Sequence, residues 1–269
     1  LTNKGGVRSE FTVYKVAPQR YYLVSAGAYE RHDHDYLKKA MPRDGSVRFE
    51  RLTTSMGVLV LAGPRARDAL SKITDADLSN EAFPWLTGKK ISLGLAQVEA
   101  LRVNFIGELG WEIHMSPSDA PAIWDALHLA GVTPVGMWAL NSLRVEKAYR
   151  AWKGDLSTDY TLLESGLERF IDWSKEFPGK AALAAEKDQG PKKRFVTLQI
   201  DAGAADAPYM STLWSGGKIV GETTSGDWGH RVNASLALAM LHADLAVPGT
   251  SLEVEIYGER RAATVLPDG

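Results

Sequence analysis

Three charged side chains lie within apolar stretches, where burying a charge costs free energy unless the charge is paired with another group or binds a ligand. Glu10 lies in SEFTVY, Glu112 in GWEIHM and Arg144 in LNSLRVEKAY. A carboxylate accepts two hydrogen bonds side by side, and a guanidinium donates to a ring carbonyl. With aromatic residues nearby, these groups suit a flat heterocycle such as a pterin or a purine. Purely structural explanations stay open as well. Both carboxylates would then lie at solvent-facing strand positions, and Arg144 would form an ion pair with one of three glutamates: Glu108, Glu112 or Glu146.

Several other chemistries find no support in the sequence. The chain has no cysteine, which excludes thiolate nucleophiles and Cys-ligated metals. It has no nucleophile-elbow, phosphate-loop or dinucleotide-binding motif. The segment HDHD, residues 32–35, points in four directions on a helix, so a solvated polar face is favoured and no metal site is predicted. The net charge of -2 argues against nucleic acid, and no apolar run reaches the length of a membrane span.

The first half of the chain alternates strands and helices. EFTVYKV and RYYLVSA read as paired strands around Pro18-Gln19, which places Glu10 on one face with Thr12 and Tyr14. ISLGLAQVEALRVNF and GWEIHM are predicted to form a hairpin that bends at residues 107–110. Helices are predicted at AYERHDHDYLKKAM, RARDALSKIT, SPSDAPAIWDALHLAG and VGMWALNSLRVEKAYRAW.

The second half changes character after a polar segment that contains Gly and Pro. From Arg194 onwards, short strands punctuated by Gly and Pro predict a small barrel or sandwich. The predicted domains are therefore residues 1–190 and 191–269, and the fold class is α+β. The abrupt strand pattern at the start also suggests a piece of a longer protein.

Five separated motifs carry a family resemblance: GGVRSEFTV, RVNFIGELGWEIHM, ALNSLRVEKAYRAWKGDLSTDYTLLESGL, TTSGDWGH and PGTSLEVEIYGERRAATV. Together they resemble the tetrahydrofolate-binding aminomethyltransferase module of the glycine-cleavage T-protein family. The motifs GELGWE and SLRVEKAYRAW resemble those in the C-terminal folate half of the dimethylglycine and sarcosine dehydrogenase group. The resemblance runs over nearly the whole chain, and it implies a clover-leaf of two α/β domains plus a C-terminal β-barrel around a folate channel.

The resemblance also implies roles for individual residues. Glu112 would bind the pterin N–H groups, and Arg144 would lie beside the pterin or orient Glu112. Glu10 would be the catalytic carboxylate near the reactive folate nitrogens, where the family usually has Asp. The remaining implied folate contacts are Tyr14 and Ser25 in the channel, Phe105 where a tyrosine is usual, and Trp228 from the barrel side.

The implied activity is one-carbon transfer to tetrahydrofolate. A folate nitrogen would attack an iminium made by flavin oxidation of an N-methyl amine such as dimethylglycine or sarcosine, yielding 5,10-methylenetetrahydrofolate and releasing the demethylated amine. FAD would belong to other sequence or to a flavoprotein partner, and the location would be the bacterial cytoplasm or mitochondrial matrix. Two alternatives stay open: a folate-dependent demethylase acting directly on a sulfonium, O-methyl or N-methyl donor, and a non-catalytic folate-binding module.

Overall fold

The computed structural model describes residues 1–267. The chain forms two compact units, one made of residues 11–136 and the other of residues 1–10 and 137–269. No helix among residues 1–267 is long and apolar enough to cross a membrane. The predicted boundary at 190/191 is a different kind of division, drawn from the change in sequence pattern, and it stays a prediction.

The unit of residues 11–136 contains six strands, three α-helices and a short 3-10 helix at Gly27–Tyr29. The strands are β1 (Thr12–Ala17), β2 (Arg20–Val24), β3 (Gly57–Ala62), β4 (Gly88–Leu93), β5 (Ala96–Leu101) and β6 (Gly110–Met115). The helices are α1 (Glu30–Ala40), α2 (Ala66–Leu70) and α3 (Ala120–Leu129). β1 and β2 form an antiparallel hairpin, as predicted, and a four-stranded antiparallel sheet has the order β3-β6-β5-β4.

The four-stranded sheet has one apolar face and one mixed face because side chains alternate along each strand. On β6, Trp111, Ile113 and Met115 are buried in a core that also contains residues of α2 and α3. Glu112 and His114 therefore occupy the opposite face. Residues paired across the strands share that face, and we call it the carboxylate face: Val58 and Val60 of β3, Glu112 and His114 of β6, and Glu99 and Leu101 of β5.

The β1–β2 hairpin covers part of the carboxylate face. The Tyr14 hydroxyl donates to the carbonyl of Gly88 at 3.1 Å, and the Tyr22 ring meets the His114 ring edge-on with centroids 5.3 Å apart. A Cβ at Gly88 would lie 2.7 Å from the Tyr14 ring, so glycine lets the hairpin approach the sheet closely. Val58 and Val60 stay 46% and 55% exposed, so the β3 side of this face is open.

The second unit is built on a closed six-stranded barrel. Its strands are β7 (Lys193–Ile200), β8 (Thr212–Ser215), β9 (Lys218–Gly229), β10 (Ala234–His242), β11 (Ser251–Ile256) and β12 (Glu259–Val265). They close in the order β10-β7-β12-β11-β8-β9. The helices α4 (Met137–Glu146) and α5 (Lys180–Gln189) belong to the same unit. The predicted α+β class with a C-terminal barrel is confirmed.

Strand β10 is apolar on both sides, which explains its continuous run SLALAML. Ala237, Ala239 and Leu241 join the core inside the barrel. The alternate residues Leu236, Leu238 and Met240 pack outside it in a second cluster with Val145 of α4 and with Tyr160. A strand buried on both faces loses the polar alternation of a solvent-facing strand. Strand β10 thus connects the barrel to α4.

Three predicted element boundaries are wrong. β1 begins at Thr12, so Glu10 precedes the strand and alternation does not set its direction. ISLGLAQVEALRVNF contains two strands that turn at Gly94-Leu95, and residues 102–109 make the whole connection to β6. The helix predicted to run to Trp152 ends at Glu146, and Ala148 has a φ of 51°, which is incompatible with a continuing helix.

Candidate functional site

Glu112 lies on the carboxylate face of the four-stranded sheet, with one oxygen held by a neighbour on the same strand. His114 Nε2 lies 3.2 Å from Glu112 Oε2, and two residues along a strand return to the same face. The side chain of Glu112 is 21% exposed, whereas that of His114 is fully buried. One carboxylate oxygen is thus held by His114, and the side chain keeps partial access to solvent.

A second hydrogen bond extends this contact to the hairpin. The Tyr22 hydroxyl lies 3.0 Å from His114 Nδ1. Burial, followed by the charges of Glu112 and Glu99, raises the pKa of Tyr22 above its ordinary value. The phenol is therefore a neutral donor at physiological pH. Sequence reasoning missed Tyr22 and His114, although the alternation of GWEIHM already places His114 beside Glu112.

The open part of the carboxylate face is apolar. Val60 pairs directly with Glu112, and Val58 pairs with His114. Directly opposed residues on antiparallel strands have Cβ atoms about 5 Å apart. An exposed valine pair beside a half-open carboxylate offers a planar ligand a floor for its ring and an acceptor for its N–H edge.

Residues 102–109 form a tight connection that carries Phe105. The Asn104 side chain accepts the backbone N–H of Ile106 at 2.9 Å and donates to the carbonyl of Glu108. Gly107 has a φ of +68°, which suits glycine at the bend, as predicted. Gly110 has a different reason: a Cβ there would lie 2.5 Å from the Leu61 carbonyl on β3. Phe105 is half-buried within this connection.

The other predicted contacts of this unit lie on or next to the hairpin. Tyr14 lies on β1 with its hydroxyl bound to Gly88, and burial together with the charge of Glu99 raises its pKa. Ser25 directly follows β2 and is half-buried. Within HDHD, Asp33 is buried, so the prediction that this segment forms a solvated polar face is wrong for that residue. No cluster of metal-ligating side chains is found among the residues that the structure describes.

Arg144 lies on α4 in the second unit and is only 5% exposed. Its ion-pair partner is Asp155 at 2.5 Å, which is not among the three glutamates that the sequence suggested. Nε donates one hydrogen bond, to Asn141 Oδ1. Nη1 donates to Asp155 Oδ2 and to the Tyr149 carbonyl, and Nη2 donates to Asn141 Oδ1 and to Ser225 Oγ. The five N–H groups thus make five hydrogen bonds within the protein. No N–H remains for a ligand carbonyl, which argues against the predicted direct contact with a pterin.

Asp155 is the centre of this buried network and was missed from the sequence. It is fully buried, and its Oδ1 accepts the hydroxyls of Thr224 and Ser225 of β9. Its Oδ2 accepts Arg144 and the backbone N–H of Ala151 at 2.8 Å. The carboxylate therefore ties α4, the following loop and the barrel strand β9 into one arrangement.

Trp228 is connected to the same helix through backbone contacts. Ser142 Oγ donates to the Trp228 carbonyl at 2.6 Å, and Asn141 donates to Asp227 Oδ2 at 2.6 Å. The Trp228 side chain is 37% exposed. Arg144 and Trp228, two predicted site residues, are thus brought together through the α4–β9 junction.

Two further carboxylates in this unit bear on the chemistry. Glu10 is exposed at its surface, yet the surrounding protein displaces enough water to raise the pKa of its carboxyl above the ordinary value. Glu146, at the end of α4, is half-buried and accepts the backbone N–H of Arg231 at 2.7 Å. Glu146 is a second carboxylate that could receive a ligand N–H group.

Comparisons with known proteins cover the whole chain. Residues 1–175 match the GCVT N-terminal domain, and residues 193–268 match the glycine cleavage T-protein C-terminal barrel domain. Mitochondrial dimethylglycine dehydrogenase of Mus musculus is 36% identical over all of this chain. Mitochondrial sarcosine dehydrogenase of Mus musculus is 32% identical over 96% of it. The chain spans 32% and 30% of these two relatives, respectively.

A shorter relative and a solved structure agree with these matches. The aminomethyltransferase of Desulfitobacterium hafniense (strain Y51) is 30% identical, with 99% of this chain and 73% of the relative aligned. The fold matches the crystal structure of glycine cleavage system aminomethyltransferase T from Bartonella henselae with a TM-score of 0.83 at 22% identity, over 99% of this chain and 73% of that one. The chain belongs to the glycine cleavage T-protein family.

Proposed function

We propose that this chain binds tetrahydrofolate and transfers a one-carbon unit to it, as the folate-dependent aminomethyltransferase part of a longer or multi-subunit enzyme. The observation that carries the proposal is the carboxylate face, where half-open Glu112 lies beside exposed Val58 and Val60. A pterin ring is flat and has N–H donors along one edge. The valines would contact the ring, and Glu112 would accept the N–H groups.

Glu10 would take up the proton released when the one-carbon unit is bonded to folate. Bound tetrahydrofolate would supply the two nitrogen nucleophiles, the demethylated amine would leave with the protons that these nitrogens give up, and the product would be 5,10-methylenetetrahydrofolate. The raised pKa of Glu10 brings its basicity closer to neutral pH, which favours a general base. We assign Arg144 a positioning role at the α4–β9 junction because its N–H groups are all occupied. Tyr14, Ser25, Phe105 and Trp228 keep the ligand-contact roles that the family resemblance implies.

The donor would be an N-methyl amine such as dimethylglycine or sarcosine, oxidised elsewhere to an iminium. Support for this donor comes from the printed names of the two dehydrogenase relatives, of which this chain matches about a third. The oxidation would be carried out by FAD on other sequence or on a flavoprotein partner. The enzyme would work in the cytoplasm of a bacterium or in the mitochondrial matrix.

Calorimetric titration with folinic acid, a stable tetrahydrofolate analogue, tests the binding step. We expect saturable binding to the wild type and a loss of at least about tenfold in affinity for Glu112→Gln, since a carboxylate bond to an N–H group contributes roughly 1.5–3 kcal/mol. Glu81→Gln is the matched control, because Glu81 is exposed in the same unit. Glu146→Gln is measured beside it to establish which half-buried carboxylate receives the pterin.

Each outcome has a distinct meaning. If Glu146→Gln weakens binding and Glu112→Gln does not, the carboxylate face is the wrong site although the folate proposal stands. If the wild type binds no folinic acid, the proposal fails for this chain. Turnover of the isolated chain with a sulfonium or O-methyl donor and tetrahydrofolate would replace the proposed donor by direct demethylation. Binding without turnover in the presence of the flavoprotein and N-methyl amine would indicate a non-catalytic module.

A further inference from the structure

The buried histidine on the carboxylate face has no assigned role, and its surroundings are unusual. His114 is 1% exposed, and both ring nitrogens lie within hydrogen-bond distance of protein oxygens. Tyr22 of β2 contacts one nitrogen and Glu112 of β6 contacts the other. Glu99 of β5 pairs with His114 across the sheet, and Val58 pairs with it on the β3 side.

For a neutral ring and an ionised carboxylate, the chemistry of the three groups sets the direction of the hydrogen bonds. An ionised carboxylate only accepts, so Glu112 requires a proton on His114 Nε2. In the neutral ring, Nδ1 is then an acceptor, and the Tyr22 hydroxyl is the donor that faces it at 3.0 Å. The donors point from Tyr22 to His114 and from His114 to Glu112. If both hydrogen bonds ran in the opposite direction, the lone pair of Nε2 would face the carboxylate with no proton between them.

We infer that Tyr22 and His114 are positioning residues, which orient the carboxylate of Glu112 for the N–H edge of the ligand. The inference rests on the proposed function of Glu112. A glutamate on a strand has several side-chain rotamers, and a ligand would have to select one. The bond from a fully buried ring selects it in advance. The Tyr22 hydroxyl fixes the tautomer that makes this bond possible, in the way that outer hydrogen-bond partners orient metal-ligating histidines.

The arrangement also divides the carboxylate into two parts. Oε2 is engaged by His114, and the side chain is 21% exposed, so part of it stays accessible to a ligand. Because Val60 lies directly opposite Glu112, a ring that rests on the valine would lie beside the carboxylate. Such a site selects rings that offer N–H donors at that edge, and it rejects rings that offer a carbonyl oxygen there.

Folinic acid affinities of the full chain test the inference. We expect His114→Leu to weaken binding about 10- to 100-fold, as loss of an orienting partner does in metal sites. We expect Tyr22→Phe, which keeps the ring, to weaken it about 2- to 10-fold. His114→Gln retains an N–H donor and should recover affinity relative to His114→Leu. Ile113→Val is the control: it thins the apolar core between the two site residues and should lower the melting temperature without changing affinity beyond twofold.

Two further measurements separate orientation from general stability. In a Glu112→Gln background, Tyr22→Phe should produce no additional loss of affinity beyond twofold, because the bond that it supports is altered already. Nitrogen-15 NMR of the histidine ring should place the proton of His114 on Nε2, and Tyr22→Phe should shift the Nδ1 resonance. Since Tyr22→Phe leaves the hairpin packing in place, it keeps the test available if His114→Leu does not fold.

Three results would decide against the inference. A proton on Nδ1 instead of Nε2 would overturn it, as would variants that lose thermal stability yet bind folinic acid within twofold of the wild type. An equal loss for Tyr22→Phe with and without Glu112→Gln would show that the hydroxyl acts independently of Glu112. A Glu112→Gln variant with unchanged affinity would instead refute the proposed pterin contact, while the NMR assignment would still report the hydrogen-bond chain.

Discussion

The Arg144–Asp155 pair provides the sharpest stability test, through Asp155→Asn. The change keeps the shape of the side chain and removes its charge, leaving Arg144 as an uncompensated cation at 5% exposure. Breaking a buried ion pair by changing one partner typically costs about 3–5 kcal/mol. We expect the free energy of unfolding to fall by about that amount.

The hydrogen bonds of Asp155 contribute to the same loss of stability. Each oxygen accepts at least two donors: Thr224 and Ser225 on Oδ1, and Arg144 and the Ala151 N–H on Oδ2. Asparagine can keep its oxygen toward Arg144 and the Ala151 N–H and turn its NH₂ group toward the two hydroxyls, which accept as well as donate. The Thr224 hydroxyl proton then loses its acceptor Oδ1, and a buried unsatisfied group adds about 1–3 kcal/mol to the cost of the uncompensated Arg144 charge.

Urea unfolding followed by tryptophan fluorescence measures the effect, because Trp152 and Trp228 lie in the same unit as the network. The matched control is Glu253→Gln, which breaks a barrel ion pair with Arg260 at 3.5 Å whose side chains are 49% and 40% exposed. An exposed pair of this kind contributes at most about 1 kcal/mol. The combined change Arg144→Met with Asp155→Leu should cost less than the two single changes added together, because no lone charge remains buried.

One outcome would refute the reasoning. If the free energy of unfolding of Asp155→Asn lies within about 1 kcal/mol of the wild-type value, the buried Arg144 charge does not need Asp155 as its partner. The α4–β9 junction would then be held by other contacts. A large loss for Asp155→Asn together with an equal loss for Glu253→Gln would show that the assay reports net charge and not burial.

The remaining predictions concern three single positions. Glu10→Gln should lower turnover about 10²- to 10⁴-fold with folinic acid affinity retained, measured by product formation and calorimetry. Because burial raises the pKa of Glu10, its contribution to stability is present below its ordinary pKa and is lost as pH rises through the raised value. Glu10→Gln should therefore gain stability relative to the wild type as pH rises from acidic to neutral. A difference in unfolding free energy between variant and wild type that does not change with pH would contradict the raised pKa. Gly110→Ala should destabilise the β3–β6 pairing by roughly 1–3 kcal/mol in urea unfolding, since its Cβ would meet the Leu61 carbonyl. Tyr160→Phe should cost about 1.5–3 kcal/mol by loss of its 2.5 Å hydrogen bond to Glu222, and a neutral result would show that Lys193 alone satisfies Glu222.

The elements with a regular period could be predicted from the sequence. In GWEIHM, alternation separates Trp111 and Ile113 from Glu112 and His114, and the structure places the first pair in the core. The density of Gly- and Pro-punctuated strands after Arg194 indicated a small barrel or sandwich, and the structure shows a closed barrel of six strands. The first prediction depends on side-chain direction along a strand, which the backbone sets locally, and the second depends on the turn residues that separate short strands.

The end of α4 could not be predicted in the same way. Helical spacing continues through residues 147–152, and no Gly or Pro interrupts it. The helix ends because Ala148 takes a φ of 51° and the chain turns so that Asp155 can meet Arg144. The stabilising contacts come from Thr224 and Ser225, about 70 residues further along the chain. A tertiary network thus overrides a local helical preference, and no window of sequence around α4 contains it.

The charges found in apolar segments separate into two classes once their hydrogen-bond capacity is counted. A guanidinium has five donors, and Arg144 has five protein contacts, so its burial is fully explained by the fold. A carboxylate can accept about four bonds, and Glu112 has one described side-chain partner, His114. Sequence context treats the two residues alike, because both are charges among apolar neighbours. Only the remaining capacity distinguishes them, and it points to Glu112 as the group with acceptor positions left for a ligand.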